Sequence, residues 1–163
     1  MVQVRLLSGA DAAAFQACRL EALSLHPCAF AAAYDEEVGR SLEEVAARLE
    51  QGAAFGAFLD GALVGTAGFA IPPLPKKCHK GVLWGVYVRA AARGRGLGRL
   101  LVEQVIEHAR GRVEQLHATV VTTSAAARQL YRHLGFQIYG LEPRGLKVGD
   151  QYFDQELMVL LLR

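Results

Sequence analysis

Cysteine is scarce in this chain: Cys18, Cys28 and Cys78 are an odd set with no Cys-x-x-Cys spacing, which argues against a disulfide framework and against a thiolate zinc site. The five histidines, His26, His79, His108, His117 and His133, are scattered without a ligand pattern, so no metal is expected. No apolar run approaches the ~20 residues of a membrane span, and the N-terminus has no signal-peptide pattern. The expectation is a cytoplasmic protein without a membrane partner. Charge of one sign is also lacking in excess. Eighteen Lys and Arg stand against sixteen Asp and Glu, a formal net charge of +2. With no basic helix and no aromatic platform, a nucleic-acid partner is not expected. Repeats, low-complexity tracts and linkers are absent, and 163 residues suit one domain, 1–163.

What is present is a folded-protein composition, 52% hydrophobic and 21% charged, organised around Val82 to Gly98. Val82 to Val88 is apolar, β-branched and aromatic, and short enough for a strand. It empties into a small, basic loop. Apolar positions from Leu97 onward (Leu100, Leu101, Val105, Ile106, Ala109) then have the spacing of a helix with one buried face. Strand, glycine-rich loop and helix start make an anion site, because first-turn N–H groups are unpaired and Gly94, Gly96 and Gly98 let a ligand approach. Arg93, Arg95 and Arg99 add positive charge. The spacing is neither G-x-G-x-x-G nor a Walker loop.

Elsewhere the pattern predicts a first strand over 1–7 and a helix after Ser8 with Phe15, Cys18, Ala22 and Leu25 as its stripe, ended by Pro27. A second helix starts at Ser41 with Glu44 completing a capping box. Two strands, 53–59 and 63–71, join at Asp60-Gly61, a strong hairpin signal. Then come a Pro-rich loop, the central strand and its helix, a strand over 113–121, and a helix capped by Ser124 or Thr123 and stopped at Gly135. The end reads as a strand over 136–141, a turn-rich loop over 142–149 and a strand over 152–162. The unbroken apolar run Leu157 to Leu162 predicts burial on both faces or a homodimer contact.

Two motifs carry a family resemblance. Arg93-x-x-Gly96-x-Gly98 resembles the Gln/Arg-x-x-Gly-x-Gly/Ala signature of the GCN5-related N-acetyltransferases (GNAT). Ser124-x-x-Ala127-x-x-Leu130-Tyr131-x-x-x-Gly135-Phe136 resembles that family's Asn-x-x-Ala-x-x-Leu-Tyr-x-x-x-Gly-Phe, with serine replacing asparagine. The order β-α-α-β-β-β-α-β-α-β-β matches the family throughout. The resemblance implies an α/β fold whose mixed sheet splays open after its fourth strand, with helices on both faces and acetyl-CoA in the gap.

The resemblance also implies roles. Residues Arg93, Gly94, Arg95, Gly96, Leu97, Gly98 and Arg99 would surround the cofactor's pyrophosphate. A bulge near Gly85 and Val86 would let Val86, Tyr87 and Val88 pair with pantetheine, and Ser124 and Ala127 would face the same arm. Tyr131 would protonate the departing thiolate. The implied reaction is acetyl transfer to a primary amine, small-molecule or peptide, by direct attack. A CoA-binding regulator of the same fold is the alternative. For the base, the acidic cluster Asp35-Glu36-Glu37 nominates Glu36 and Glu37, with His79 a weaker candidate. That cluster, opposite an arginine-rich loop, also predicts a cationic acceptor.

Overall fold

A computed structural model describes residues 1–162. The chain runs β1 (Val2–Leu6), α1 (Ala12–Leu25), α2 (Tyr34–Glu37), α3 (Leu42–Gln51), β2 (Ala53–Leu59), β3 (Ala62–Ala70), β4 (Lys80–Val88), α4 (Leu97–Ala109), β5 (Gln115–Val121), α5 (Ala125–His133), β6 (Gln137–Val148) and β7 (Gln151–Leu161). The strands form one seven-stranded sheet in the order β1-β2-β3-β4-β5-β7-β6. The β4–β5 pair is parallel and every other neighbouring pair is antiparallel.

Local chemistry sets most boundaries. The Ser41 hydroxyl accepts the Glu44 N–H at 3.1 Å to begin α3, and Asp60 and Gly61, both at positive φ, close the β2–β3 hairpin. α1 starts later than Ser8, because a 3-10 turn intervenes. In that turn the Asp11 carboxylate accepts the Ser8 N–H at 2.8 Å and both Arg5 guanidinium bonds at 2.9 Å. Leu25, the end of the expected stripe, is exposed.

Alternation along the strands feeds two cores. Phe55, Ala57, Ala67, Phe69, Leu116 and Met158 pack with Leu97, Leu101, Val102 and Val105 of α4 and with Tyr131 of α5. On the other face Leu7, Ala54, Leu63 and Tyr87 pack with Phe15, Cys18 and Ala22 of α1 and Val45 and Leu49 of α3. The sheet thus has helices on both faces.

Two features of β4 position everything functional. It pairs with β5 only over Lys80–Val82, so the strands part after Val82. On its other edge the register jumps from Gly68↔Trp84 to Thr66↔Tyr87. Two β4 residues, Gly85 and Val86, therefore oppose one residue of β3, which is a β-bulge. Gly85 takes φ +63°, and the Thr66 hydroxyl donates to its carbonyl at 3.1 Å. Both the splay and the bulge agree with what the resemblance implies.

The last hairpin differs from the expectation. Residues 142–149 are not a turn-rich loop; they extend β6 to Val148, and the turn is confined to Gly149-Asp150. Pro143 and Gly145 suggested a loop, but the ladder absorbs them as an irregularity between Glu142 and Leu146. Arg144 there adopts φ +54°, and Asp154 of β7 accepts its N–H at 2.8 Å. In β7 Met158 is fully buried, whereas Leu161 is exposed.

Gly68 makes room for Trp84, the chain's one tryptophan: a Cβ on Gly68 would lie 2.1 Å from Trp84 Cε2. Gly68→Ala is therefore expected to cost ~1–3 kcal/mol through overpacking and to change Trp84 fluorescence. Gly39→Ala, where a Cβ meets nothing within 4 Å, should change neither. Denaturant melts followed by fluorescence check both.

Candidate active site

The parted strands open a groove of about 570 Å³. Val86, Tyr87 and Val88 form one wall, the loop from Arg93 to Arg99 its end, and Ser124 to Ala127 with Leu130 the other wall. Gly94 and Gly96 have φ +80° and +76°, and a Cβ on either would meet nothing within 4 Å. Glycine is needed there for backbone shape, and the same positions leave the loop open to a ligand. Gly96 is the N-cap of α4 and supplies no side-chain cap, so the first-turn N–H groups remain available to an anion.

The arginines divide. Arg93 and Arg99 line the groove; Arg95 does not. Arg93 donates to the Val88 carbonyl at 2.9 Å and contacts His26 Nε2 at 3.2 Å, while Arg99 pairs with Glu103 at 2.8 Å. Leu97 borders the groove, yet its side chain belongs to the core. Tyr87 is likewise buried, and its hydroxyl donates to Glu21 at 2.7 Å. Ser124 stands at the N-cap of α5 without a side-chain cap bond. The expected capping by its hydroxyl is thus absent: the Ser124 backbone, at φ −86° and ψ 76°, lies outside the extended region that aims an N-cap side chain at the first turn.

Tyr131 lies on the inner face of α5, 7% exposed, its ring 5.6 Å from that of Phe136. It is absent from the groove lining, whereas Ala127 and Leu130 of the same helix are part of it. Among the described residues nothing hydrogen-bonds its hydroxyl, and burial raises its pKa well above the ordinary phenol value. It is a neutral phenol with an uncommitted proton.

A second cleft, about 610 Å³, opens on the α1–α3 face of the sheet and is floored by Phe69, Ala70, Trp84 and Gly85. Phe30 borders both clefts. They therefore approach each other across the bulge.

The acidic cluster behaves differently from its sequence. Glu36 lies outside both clefts, exposed, and accepts the Ala33 N–H at 2.6 Å. Glu37 lines the second cleft and is buried, surrounded by Arg40 at 3.1 Å, Arg48 at 3.8 Å and Arg19 at 3.9 Å. Three guanidiniums around one carboxylate reverse the charge expected there, so the basis for a cationic acceptor is gone. Arg19, Arg40, Arg48 and Trp84 escaped the sequence reading. Arg19 left a signal, since it stands four residues after Phe15 on the buried stripe of α1.

Among the described residues no thiol lines either cleft. Cys18 is buried, with its pKa pushed up to about 11 by desolvation, and exposed Cys78 donates to the Pro75 carbonyl. His79 too stands outside both clefts.

Gly98, in the first turn of α4, gives the cleanest test of the groove. A Cβ there would lie 3.6 Å from Leu130 and 3.9 Å from Val88, across the width of the groove. Gly98→Leu should keep the fold and weaken acetyl-CoA binding at least ~10-fold, the size of a lost close approach of about 1.4 kcal/mol. Calorimetric titration checks it, with the melting temperature as control.

Known proteins place this geometry in a family. The chain is 39% identical over 97 residues to the N-alpha-acetyltransferase RimI of Mycobacterium tuberculosis, 57% of each chain being covered. It spans about half the length of the curated relatives it matches. Among solved structures, a GNAT-family acetyltransferase from Streptococcus pneumoniae superposes over 100% of both chains with a TM-score of 0.90 at 28% identity. A putative acetyltransferase from Salmonella typhimurium, yncA, solved with its cofactor acetyl-CoA, covers 100% of this chain and 95% of its own with a TM-score of 0.84 at 25% identity. The family model described as "Acetyltransferase (GNAT) family" matches residues 19–136, a stretch that contains the bulge, the glycine loop and α5, and the chain belongs to that family.

Proposed function

We propose that this protein transfers acetyl from acetyl-CoA to a primary amine by direct attack in a ternary complex. One observation carries the reading. The groove beside β4 and the cleft over Trp84 and Gly85 lie on the two sides of one bulge, and Phe30 borders both. A cofactor in the first and an amine in the second would meet there without an intermediate carrier. The Salmonella typhimurium structure with acetyl-CoA and the N-alpha-acetyltransferase name of the Mycobacterium tuberculosis relative support the cofactor and the amine, respectively.

In this reading the pyrophosphate lies on the N–H groups of the Arg93–Arg99 loop, with Arg93 and Arg99 beside it. Beyond Val82, β4 has no strand on its β5 side, and the amides of pantetheine would add there like a strand. Val86 and Val88 supply the backbone, and an N–H at the bulge would polarise the thioester carbonyl. Ser124 and Ala127 face the arm from α5. The neutral amine attacks the carbonyl carbon, the N–C bond forms, the C–S bond breaks, and the thiolate takes a proton. Tyr131 is the proposed donor. Its raised pKa makes full transfer uphill, so it acts chiefly as a hydrogen-bond donor to sulfur, with proton transfer late in bond cleavage.

The amine's own proton leaves to water in the second cleft. Glu37 can relay it only in competition with three arginines, and Glu36 lines neither cleft; Glu37 is better suited to hold those arginines in place. The absence of a thiol from both clefts supports direct attack over an acetyl-enzyme.

Thiol release from acetyl-CoA, followed across an amine panel, tests the activity. Any acceptor-dependent release supports it, and tight acetyl-CoA binding with no release across the panel would leave a regulator. Tyr131→Phe should lower kcat by ~10²-fold, the usual size of general acid catalysis, with acetyl-CoA affinity unchanged. An unaltered kcat, with chemistry rate-limiting, would make Tyr131 a core residue only.

A further inference from the structure

The side chain of Arg93 is committed before any cofactor arrives. Its Nε donates to the Val88 carbonyl at 2.9 Å and its Nη2 reaches His26 Nε2 at 3.2 Å. Its guanidinium carbon stands 5.8 Å from the centre of the Tyr87 ring. The first contact folds the loop back onto the end of the strand it leaves. The second ties the loop to His26, the C-cap residue of α1. A guanidinium has only donors, so His26 Nε2 accepts and the ring proton sits on Nδ1. The negative end of the α1 macrodipole lies at the same place and favours a cation there.

The holder is itself held. The His26 and Tyr87 rings have centroids 5.7 Å apart, and the Tyr87 hydroxyl donates to Glu21 of α1 at 2.7 Å. Glu21 also meets Arg89 at 3.2 Å, and Arg89 donates to the Leu63 carbonyl at 3.1 Å. Two ties therefore run from α1 to the exit of β4: Glu21 to Tyr87 and Arg89, and His26 to Arg93. His26 and Arg93 both line the groove, and Arg93 opens the loop whose N–H groups are proposed to hold the pyrophosphate. An untied arginine samples many rotamers, and the start of the loop moves with it. One already tied loses less freedom when the anion binds.

We infer that His26 is a positioning residue for cofactor binding. It acts through Arg93, whose bond to the Val88 carbonyl sets the loop that receives the pyrophosphate. The inference rests on the acetyl-transfer reading above for the identity of the ligand, and it adds a residue that lies outside both the glycine loop and α5. In this role Arg93 is a splint between loop and strand, and its Nη1 is the part that its contacts with Val88 and His26 leave over for the anion.

Calorimetric titration of the full chain with acetyl-CoA tests this without needing turnover. His26→Ala should weaken binding ~3–10-fold, the size of one net hydrogen bond, and Arg93→Ala at least as much. The double variant should bind no more weakly than Arg93→Ala alone, because residues that act as one unit are not additive. His26→Gln, which keeps an acceptor, should recover most of the affinity. His26→Phe, which keeps a ring beside Tyr87 but no acceptor, should not. Melting temperatures control for folding, and if His26→Ala melts early the glutamine and phenylalanine variants decide. With any amine that is acetylated, the KM for acetyl-CoA should rise in His26→Ala while kcat stays unchanged. Additive losses in the double variant would make His26 a ligand in its own right and overturn the inference. So would unchanged or tighter binding by His26→Ala, or a glutamine variant as weak as the alanine one. Each of these leaves acetyl transfer standing. A wild-type chain that does not bind acetyl-CoA would overturn both readings.

Discussion

The site depends on one constraint: β4 must leave β5 after Val82 while staying paired with β3. A strand that loses its neighbour exposes backbone N–H and C=O groups that need partners. Here the loss is built in. Parallel pairing stops at Val82↔His117, and the bulge at Gly85 and Val86 turns the strand. Gly85 adopts a positive φ that a side chain would strain. Behind it the Thr66 hydroxyl holds the Gly85 carbonyl, and Gly68 admits the Trp84 ring. The groove, the loop that closes it and the cleft on the far face all take their positions from this parting.

Electrostatics then divides the molecule in a way a linear charge count obscures. Asp35, Glu36 and Glu37 are consecutive, but the short α2 sends them in different directions. Glu36 turns back to the Ala33 N–H, whereas Glu37 turns inward to arginines from α1, α3 and the segment between α2 and α3. Both clefts therefore present positive charge. For the groove that suits a pyrophosphate. For the second cleft it means that a purely cationic acceptor would meet like charge, and that an acceptor bringing its own anion would not.

The sequence revealed what depends on neighbours along the chain. The strand–loop–helix around Gly96, the hairpin at Asp60-Gly61 and the capping of α3 by Ser41 are local, and glycine, aspartate and serine announce them. The splay and the bulge are not readable from spacing; they came through two motifs that resemble a family. What stayed hidden was long-range. Pro143 and Gly145 read as a loop because nothing in that stretch shows that Asp154 will accept the Arg144 N–H across the hairpin. The arginines around Glu37 lie 3, 11 and 18 positions away and meet only when α1 and α3 pack on one face. Arg19 was the exception, a cation on an apolar stripe, where burial demands a partner.

Direct transfer across the bulge is the central claim, and initial-rate kinetics with both substrates varied tests it most directly. A ternary complex predicts double-reciprocal lines that intersect, and no acetylated protein after incubation with acetyl-CoA alone. Parallel lines with a stoichiometric acetyl-enzyme, the fingerprint of a ping-pong route, would contradict it.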